Sequence, residues 1–322
     1  MHELHWGLPV IGYLFLAGLG AGALTVSATM VLRSGGTSGE SFRLARYGAL
    51  LAPLPLILGT GLIVFELGTF QAALATGDFG LFFRWINLFL TVNLSPMSLG
   101  SWVLALCIVA SLIYAYTFLA DGDAPDGAMA GLRRSLAWIG VPLGIAVAIY
   151  TGVLLGATPA RPFWNTPMLA FLFLFSAMST GIASILLVKA LFGKGGAGEG
   201  ATDTGGYVLT ASDAVFIGLE LLAVILFVMF AQLSVGNAGA AISVILPGGQ
   251  YATLFWGVVV LLGLLIPAVI ELKYVIPTLR NNVAYAMPRG IEILLCAVIL
   301  LGGFVLRYVV VIAGQVTGPV GL

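Results

Sequence analysis

Eight long apolar runs dominate the sequence, at roughly 7–32, 48–71, 97–120, 136–157, 167–190, 214–235, 253–276 and 290–313. A bilayer core near 30 Å needs about 20 such residues per helix, so each run can cross once. Transmembrane strands would alternate over about ten residues, whereas these runs are apolar on every face, which selects helices. The expected fold class is all-α: a polytopic integral membrane protein of eight transmembrane helices arranged as two four-helix bundles. The first run lacks a basic n-region, exceeds an h-region in length and is followed by Arg33. It is therefore expected to stay as a span and not to be removed as a signal peptide.

The linkers set the domain reading. Residues 1–190 hold helices 1–5, with helices 1–4 forming the first bundle. Residues 191–213, which include GKGGAGEGATDTGG, read as a flexible cytoplasmic linker. Residues 214–322 hold helices 6–8, expected to pack with helix 5 as the second bundle. An even number of spans puts both termini on one side. Loops after helices 1, 3, 5 and 7, with the adjoining helix ends, hold Arg33, Arg43, Arg46, Arg133, Arg134, Lys189, Lys194, Lys273, Arg280 and Arg289. The other side holds Arg84, Arg161 and Arg307. Positive charge favours the cytoplasm, so both termini are expected on the extracytoplasmic side of a bacterial or archaeal cytoplasmic (inner) membrane.

Charge and ligand chemistry exclude several classes. Lys+Arg and Asp+Glu balance at 13 each, and only 8% of residues are charged. That leaves no basic footprint for nucleic acid, so the lipid bilayer is the expected environment. Cys107 and Cys296 sit inside apolar runs without a CxxC pattern, which supports neither a disulfide framework nor a zinc or iron–sulfur site. His2 and His5 are the only histidines, and both precede helix 1. No bis-His haem can then be built between the membrane helices. The expectation is no haem and no metal in this chain; redox chemistry would need a bound organic carrier.

In so uncharged a chain, polar groups at membrane depth carry information, because they are costly there. Helix direction gathers several at the outer end of the first half. Tyr13 lies early on inbound helix 1, Glu66 late on outbound helix 2, and Tyr150 late on outbound helix 4. Asn93 and Ser95 precede helix 3, while Arg161 and Trp164 occupy the loop after helix 4. Each has a plainer reading. Tyrosines near helix ends form interfacial belts, and Arg161 can snorkel to headgroups. Glu66 is harder to dismiss, since a carboxylate within a span needs a partner or a task. In the second half Glu220, Glu271 and Glu292 lie toward the cytoplasmic side. They read either as a proton path or, for Glu271 with Lys273 and Glu292 with Arg289, as end-of-helix pairs.

Several strings resemble the NrfD/PsrC family, the membrane subunits of polysulfide-reductase-type complexes. They are WGLPVIGYLFLAGLGAGA (Trp6 to Ala23), FELG (Phe65 to Gly68), SPMSLGSW (Ser95 to Trp102), YTGVLLG (Tyr150 to Gly156), RPFWN (Arg161 to Asn165), SAMSTG (Ser176 to Gly181) and GGFVLRYVVVIAGQ (Gly302 to Gln315). They run in family order along nearly the whole chain. The resemblance implies a quinone or quinol (menaquinone or ubiquinone) bound in the first bundle near the outer face. It also implies an extrinsic iron–sulfur subunit docked there, relaying electrons to or from a molybdopterin catalytic subunit or, in other assemblies, a multihaem cytochrome. On this resemblance Tyr150 hydrogen-bonds a quinone carbonyl, and Glu66 stands where many members carry Asp. Tyr13 takes a place near a ring-bearing polar residue, a histidine, which His5 could replace from one side.

An ion or solute transporter is the alternative class. Transporters show broken helices and a charged site at the midplane; here Pro142 and Pro267 lie within spans, but the polar cluster is off-centre. Segment 79–95, carrying Arg84, reads as an amphipathic helix on the outer surface or as a plain connection.

Overall fold

The computed structural model describes residues 6–34, 39–66, 74, 76–87, 95–122, 124–193, 204–234, 237–281 and 283–318. Within them eight helices are long and apolar enough to cross a membrane: span 1 Leu8–Arg33, span 2 Gly39–Phe65, span 3 Met97–Asp121, span 4 Ala130–Gly156, span 5 Met168–Phe192, span 6 Thr204–Leu233, span 7 Thr253–Asn281 and span 8 Arg289–Val316. The described residues contain no strand.

Local chemistry sets the helix ends. Span 3 opens with Ser95 as N-cap, its hydroxyl accepting the Ser98 N–H at 3.2 Å, and Pro96 follows in the first turn. There the missing proline N–H costs nothing. Span 2 breaks at Ala52, immediately before Pro53; the proline ring clashes one turn back and removes an intrahelical donor. Span 7 is π-wound over Thr253–Leu265, the Ile266 N–H reaching five residues back to Leu261 O, before it returns to α geometry.

Two boundaries depart most from the apolar runs. Span 2 begins at Gly39 and span 6 at Thr204, earlier than 48 and 214. Both added stretches are polar enough to read as loop, yet each turns an apolar stripe inward: Phe42, Leu44 and Ala45 in one, Leu209 in the other. Tertiary packing overrides the composition. Residues 194–203 of the expected linker lie outside the described residues, and of segment 79–95 the structure describes a 3₁₀ helix over Phe79–Ile86.

Span 1 packs on spans 2, 4, 5 and 8, and span 5 on spans 1, 2, 4, 6 and 8. These two helices are the most enclosed, 83% and 72% buried over their apolar cores, and they join the bundle of spans 1–4 to that of spans 5–8. They cross at Gly22 and Gly181, where a Cβ on Gly181 would stand 2.5 Å from the Gly22 carbonyl carbon and one on Gly22 would strike Ala177 O. Small residues permit this backbone contact, which is how membrane helices associate when apolar side chains gain nothing over lipid.

The two ends of the protein differ. At one, Gln315 bridges the polypeptide's extremities: its Oε1 accepts the Trp6 N–H at 2.9 Å and its Nε2 donates to Trp6 O at 2.9 Å. Arg33, Arg43, Arg46, Arg133 and Arg134 collect at the other, where spans 1 and 3 finish and spans 2 and 4 begin.

Candidate functional site

Tyr13 lies five residues into span 1 from the Trp6 end, and Tyr150 six residues short of the end of span 4. At 1.5 Å per residue both phenols lie about 8–9 Å below that end. The helices run in opposite directions and bring the two rings together as hydrogen-bond partners. Tyr13 is buried and Tyr150 half-buried, so Tyr150 is the accessible member of the pair. Span 3 completes the seat. A Cβ on Gly100 would fall onto Cζ, Cε2 and Oη of Tyr150, so the ring occupies the space that a side chain would otherwise fill.

The other expected site residues are disposed differently. Glu66 ends the helical run Pro53–Glu66 at the same end of the first bundle; its side chain, like Asn93 and His5, lies outside the described residues. Ser95 uses its oxygen as the N-cap of span 3. Arg161 and Trp164 face span 8. The Arg161 guanidinium donates to Gln315 O at 2.7 Å and sits 5.9 Å from the Trp164 ring. Trp164 is buried, donates Nε1–H to Val310 O at 2.8 Å, and stacks on Trp6 at 5.1 Å between centroids. These contacts fasten the loop after span 4 to both ends of the chain.

A second cluster lies inside the bundle of spans 5–8. Asp213, Glu220, Glu271 and Arg307 are all buried. Glu220 faces Arg307 and Ser176, and Arg307 donates to Ser176 Oγ at 2.6 Å and to Gly303 O at 2.8 Å. Asp213 lies beside Ser179 and Glu271. Both Asp213 carboxylate oxygens, Glu271 Oε2 and Arg307 Nε and Nη2 are enclosed with no close hydrogen-bond partner among the described residues. Orphaned ionisable groups at such depth are expensive and mark functional positions. Glu292 lies one step further along, paired with Lys189 of span 5 at 3.4 Å, and Arg289 donates instead to Leu191 O. Glu271 turns into the bundle while Lys273 is exposed, so neither end-of-helix pair suggested by sequence proximity is formed.

Asp213 escapes a reading of apolar runs because the run of span 6 starts at 214. Once the helix is carried back to Thr204, Asp213 sits well inside it, near Glu271. At the far end of the line, Arg307 approaches span 1: a Cβ on Gly18 would stand 3.3 Å from its Nη2. The line of buried polar groups thus reaches the helix that carries Tyr13.

The family model for NrfD, polysulphide reductase, matches residues 1–319. The chain belongs to the NrfD family. Among NrfD-family relatives, the C subunit of polysulfide reductase from Wolinella succinogenes is 33% identical over 331 residues, covering 96% of this chain and 94% of that protein. Protein NrfD of Escherichia coli is 27% identical, covering 98% and 96%, and the NrfD homolog of Haemophilus influenzae is 26% identical over similar shares. The described residues of this NrfD-family chain contain no cluster of three or more metal-ligating side chains.

Proposed function

We propose that this chain is the quinone-reactive membrane subunit of a respiratory oxidoreductase, with its reactive site at the Trp6 end of the first bundle. The observation that carries the reading is the phenol pair of Tyr13 and Tyr150 seated on Gly100. Relatives named for polysulfide reductase and as NrfD support the class. The arginine distribution supports an orientation with both termini, and hence this site, on the extracytoplasmic side.

The residues fit a quinone head. The Tyr150 O–H can donate to a quinone carbonyl, with the Tyr13 hydroxyl beside it, and its half-buried position leaves it reachable from the bilayer. A bound quinone, menaquinone or ubiquinone, supplies two-electron, two-proton chemistry. Tyr150 orients one carbonyl and Tyr13 holds Tyr150. Glu66, closing span 2 at the same end, exchanges protons with the nearby surface. Asn93 and His5 are proposed as further contacts to the quinone. Arg161 and Trp164 act by holding the loop in place against span 8, with Ser95 fixing the start of span 3. An extrinsic iron–sulfur subunit docks at this end and passes electrons to or from a molybdopterin catalytic subunit, or a multihaem cytochrome serves instead.

The buried line from Glu292 and Lys189 through Glu271, Asp213 and Glu220 to Arg307 supports proton movement in the second bundle during turnover. Each member is an acid, base or hydroxyl neighbour, and the line ends against span 1.

Tyr150→Phe in the assembled complex tests the site. Loss of the donor removes one hydrogen bond to the quinone and strands the Tyr13 hydroxyl, together about 1–3 kcal/mol. Quinol-linked electron transfer should fall roughly tenfold or more while the subunits still co-purify. Wild-type turnover with an unchanged quinol KM would refute the assignment.

A further inference from the structure

A cleft of about 230 Å³ opens at the arginine-rich end of the first bundle, between the end of span 1, the start of span 2 and the first turn of span 4. It has room for on the order of seven waters. Val31 and Phe42 form its apolar wall, and Gly131, Arg133, Arg134 and Asp126 supply its polar groups.

The floor is built for an anion. Span 4 runs for 27 residues from an N-cap, Met129, that makes no side-chain cap, and its first turn carries no acid. The first intrahelical bond runs from Arg133 N–H to Met129 O, which leaves first-turn donors such as Gly131 N–H pointing out of the helix end. Nothing lies within 4 Å of the position a Gly131 Cβ would take, so a ligand can approach that backbone closely. Arg133 is only 2% exposed and is clamped by Asp121, by Pro125 O at 3.0 Å and by Thr117 O at 3.1 Å. It is also flanked by the rings of Phe42 and Phe118 at 4.9 and 4.6 Å. Its Nε is enclosed without a partner, and the Asp121 carboxylate that clamps it also accepts the Met129 N–H at the helix start, which leaves the Gly131 N–H as the open backbone donor. Arg134 adds an exposed guanidinium.

The rim carries the opposite sign. Asp126 is exposed on the same cleft, and Arg133 is already balanced by Asp121. A purely anionic group would meet Asp126 as a repulsive neighbour, whereas a zwitterion satisfies both parts. The cleft lies at the first turn of a span long and apolar enough to cross a membrane, with Leu119 and Leu132 exposed at the same end.

We propose that this cleft binds the phosphoethanolamine headgroup of a membrane phospholipid. Its phosphate rests on Gly131 N–H, Arg133 and Arg134, and its ammonium on Asp126. Basic recesses between spans at the cytoplasmic surface bind phosphate headgroups. The carboxylate here selects a headgroup that also donates hydrogen bonds as a cation, which a choline headgroup cannot do.

The test uses the full-length chain in nanodiscs of phosphatidylethanolamine, phosphatidylcholine or phosphatidylglycerol, with thermal midpoints and native mass spectrometry of retained lipid. Phosphatidylethanolamine should be retained in preference to the other two and should raise the midpoint most. Asp126→Asn should abolish its advantage over phosphatidylcholine. Arg134→Gln should weaken retention of every phospholipid roughly tenfold, the scale of one charge-assisted hydrogen bond. Equal retention of phosphatidylcholine, preference for phosphatidylglycerol, or insensitivity to Asp126→Asn would overturn the proposal. So would an equal midpoint rise with inorganic phosphate alone, which would make the cleft a free-anion site. Should Arg134→Gln fail to fold, Asp126→Asn decides alone.

Discussion

Replacing Gly100 by alanine probes the reactive end without deleting any polar group. In an exposed helix interior the change is favourable by about 1 kcal/mol, because alanine loses less backbone entropy than glycine. At this position the new methyl would overlap the Tyr150 ring. Carbon atoms rest about 3.5–4.0 Å apart, so the ring must move on the order of 1 Å or more, and it cannot do so while keeping its bond to Tyr13. Overpacking of this kind costs about 1–3 kcal/mol, which the helix gain offsets in part. The net effect on stability should be about 0–2 kcal/mol, small enough for the complex to assemble. Turnover should suffer more, because misplacing a positioning group by about 1 Å costs on the order of a hundredfold. Gly61→Ala is the control: span 2 offers nothing within 4 Å of that new Cβ. The assay is quinol-linked electron transfer by the membrane-bound complex, normalised to co-purified partner. If Gly100→Ala turns over like Gly61→Ala, Tyr150 is not held for catalysis and the seat is packing alone.

Glu66→Gln should slow proton-coupled turnover while leaving the quinol KM within about twofold; an unaltered pH–rate profile would count against its proton role. Asp213→Asn should reduce proton movement into proteoliposomes during quinol turnover more than it reduces electron transfer. Equal loss of both would argue that Asp213 acts only in folding. Trp164→Phe removes the Nε1–H bond to Val310 O and loosens the stack on Trp6. It should destabilise the protein by about 1–3 kcal/mol, seen as a lower thermal midpoint with quinol affinity retained; a changed KM at an unchanged midpoint would place Trp164 in contact with the quinone instead.

The helical architecture was legible because membrane-spanning segments declare themselves through length and uniform apolarity, and all eight runs became helices. Tyr13 and Tyr150 could be brought together from helix direction and residue counting, since antiparallel helices in one bilayer place equal offsets at equal depth. Other features depended on packing that a linear reading does not reach. Arg161 and Trp164 lie at the same end of the protein as the tyrosines, yet their side chains are drawn to carbonyls of span 8 that lie about 150 residues away in sequence. Asp213 hid in a polar approach to span 6 whose helix buries Leu209, which sets Asp213, one turn on, facing inward as well. Glu292 chose Lys189 on another helix over Arg289 nearby, because the position of Glu292 on span 8 faces span 5. Gly100 carries no signal of its own; only the ring beside it gives the glycine meaning.

The doubly bonded Gln315–Trp6 bridge has a mechanical consequence. It pins the first and last helices at one rim, so the two bundles cannot part there without breaking a reciprocal amide pair. Rocking of one bundle against the other must therefore open like a book from the opposite rim, where spans 1 and 5 continue past their glycine crossing. Any such movement would have its fulcrum at this amide.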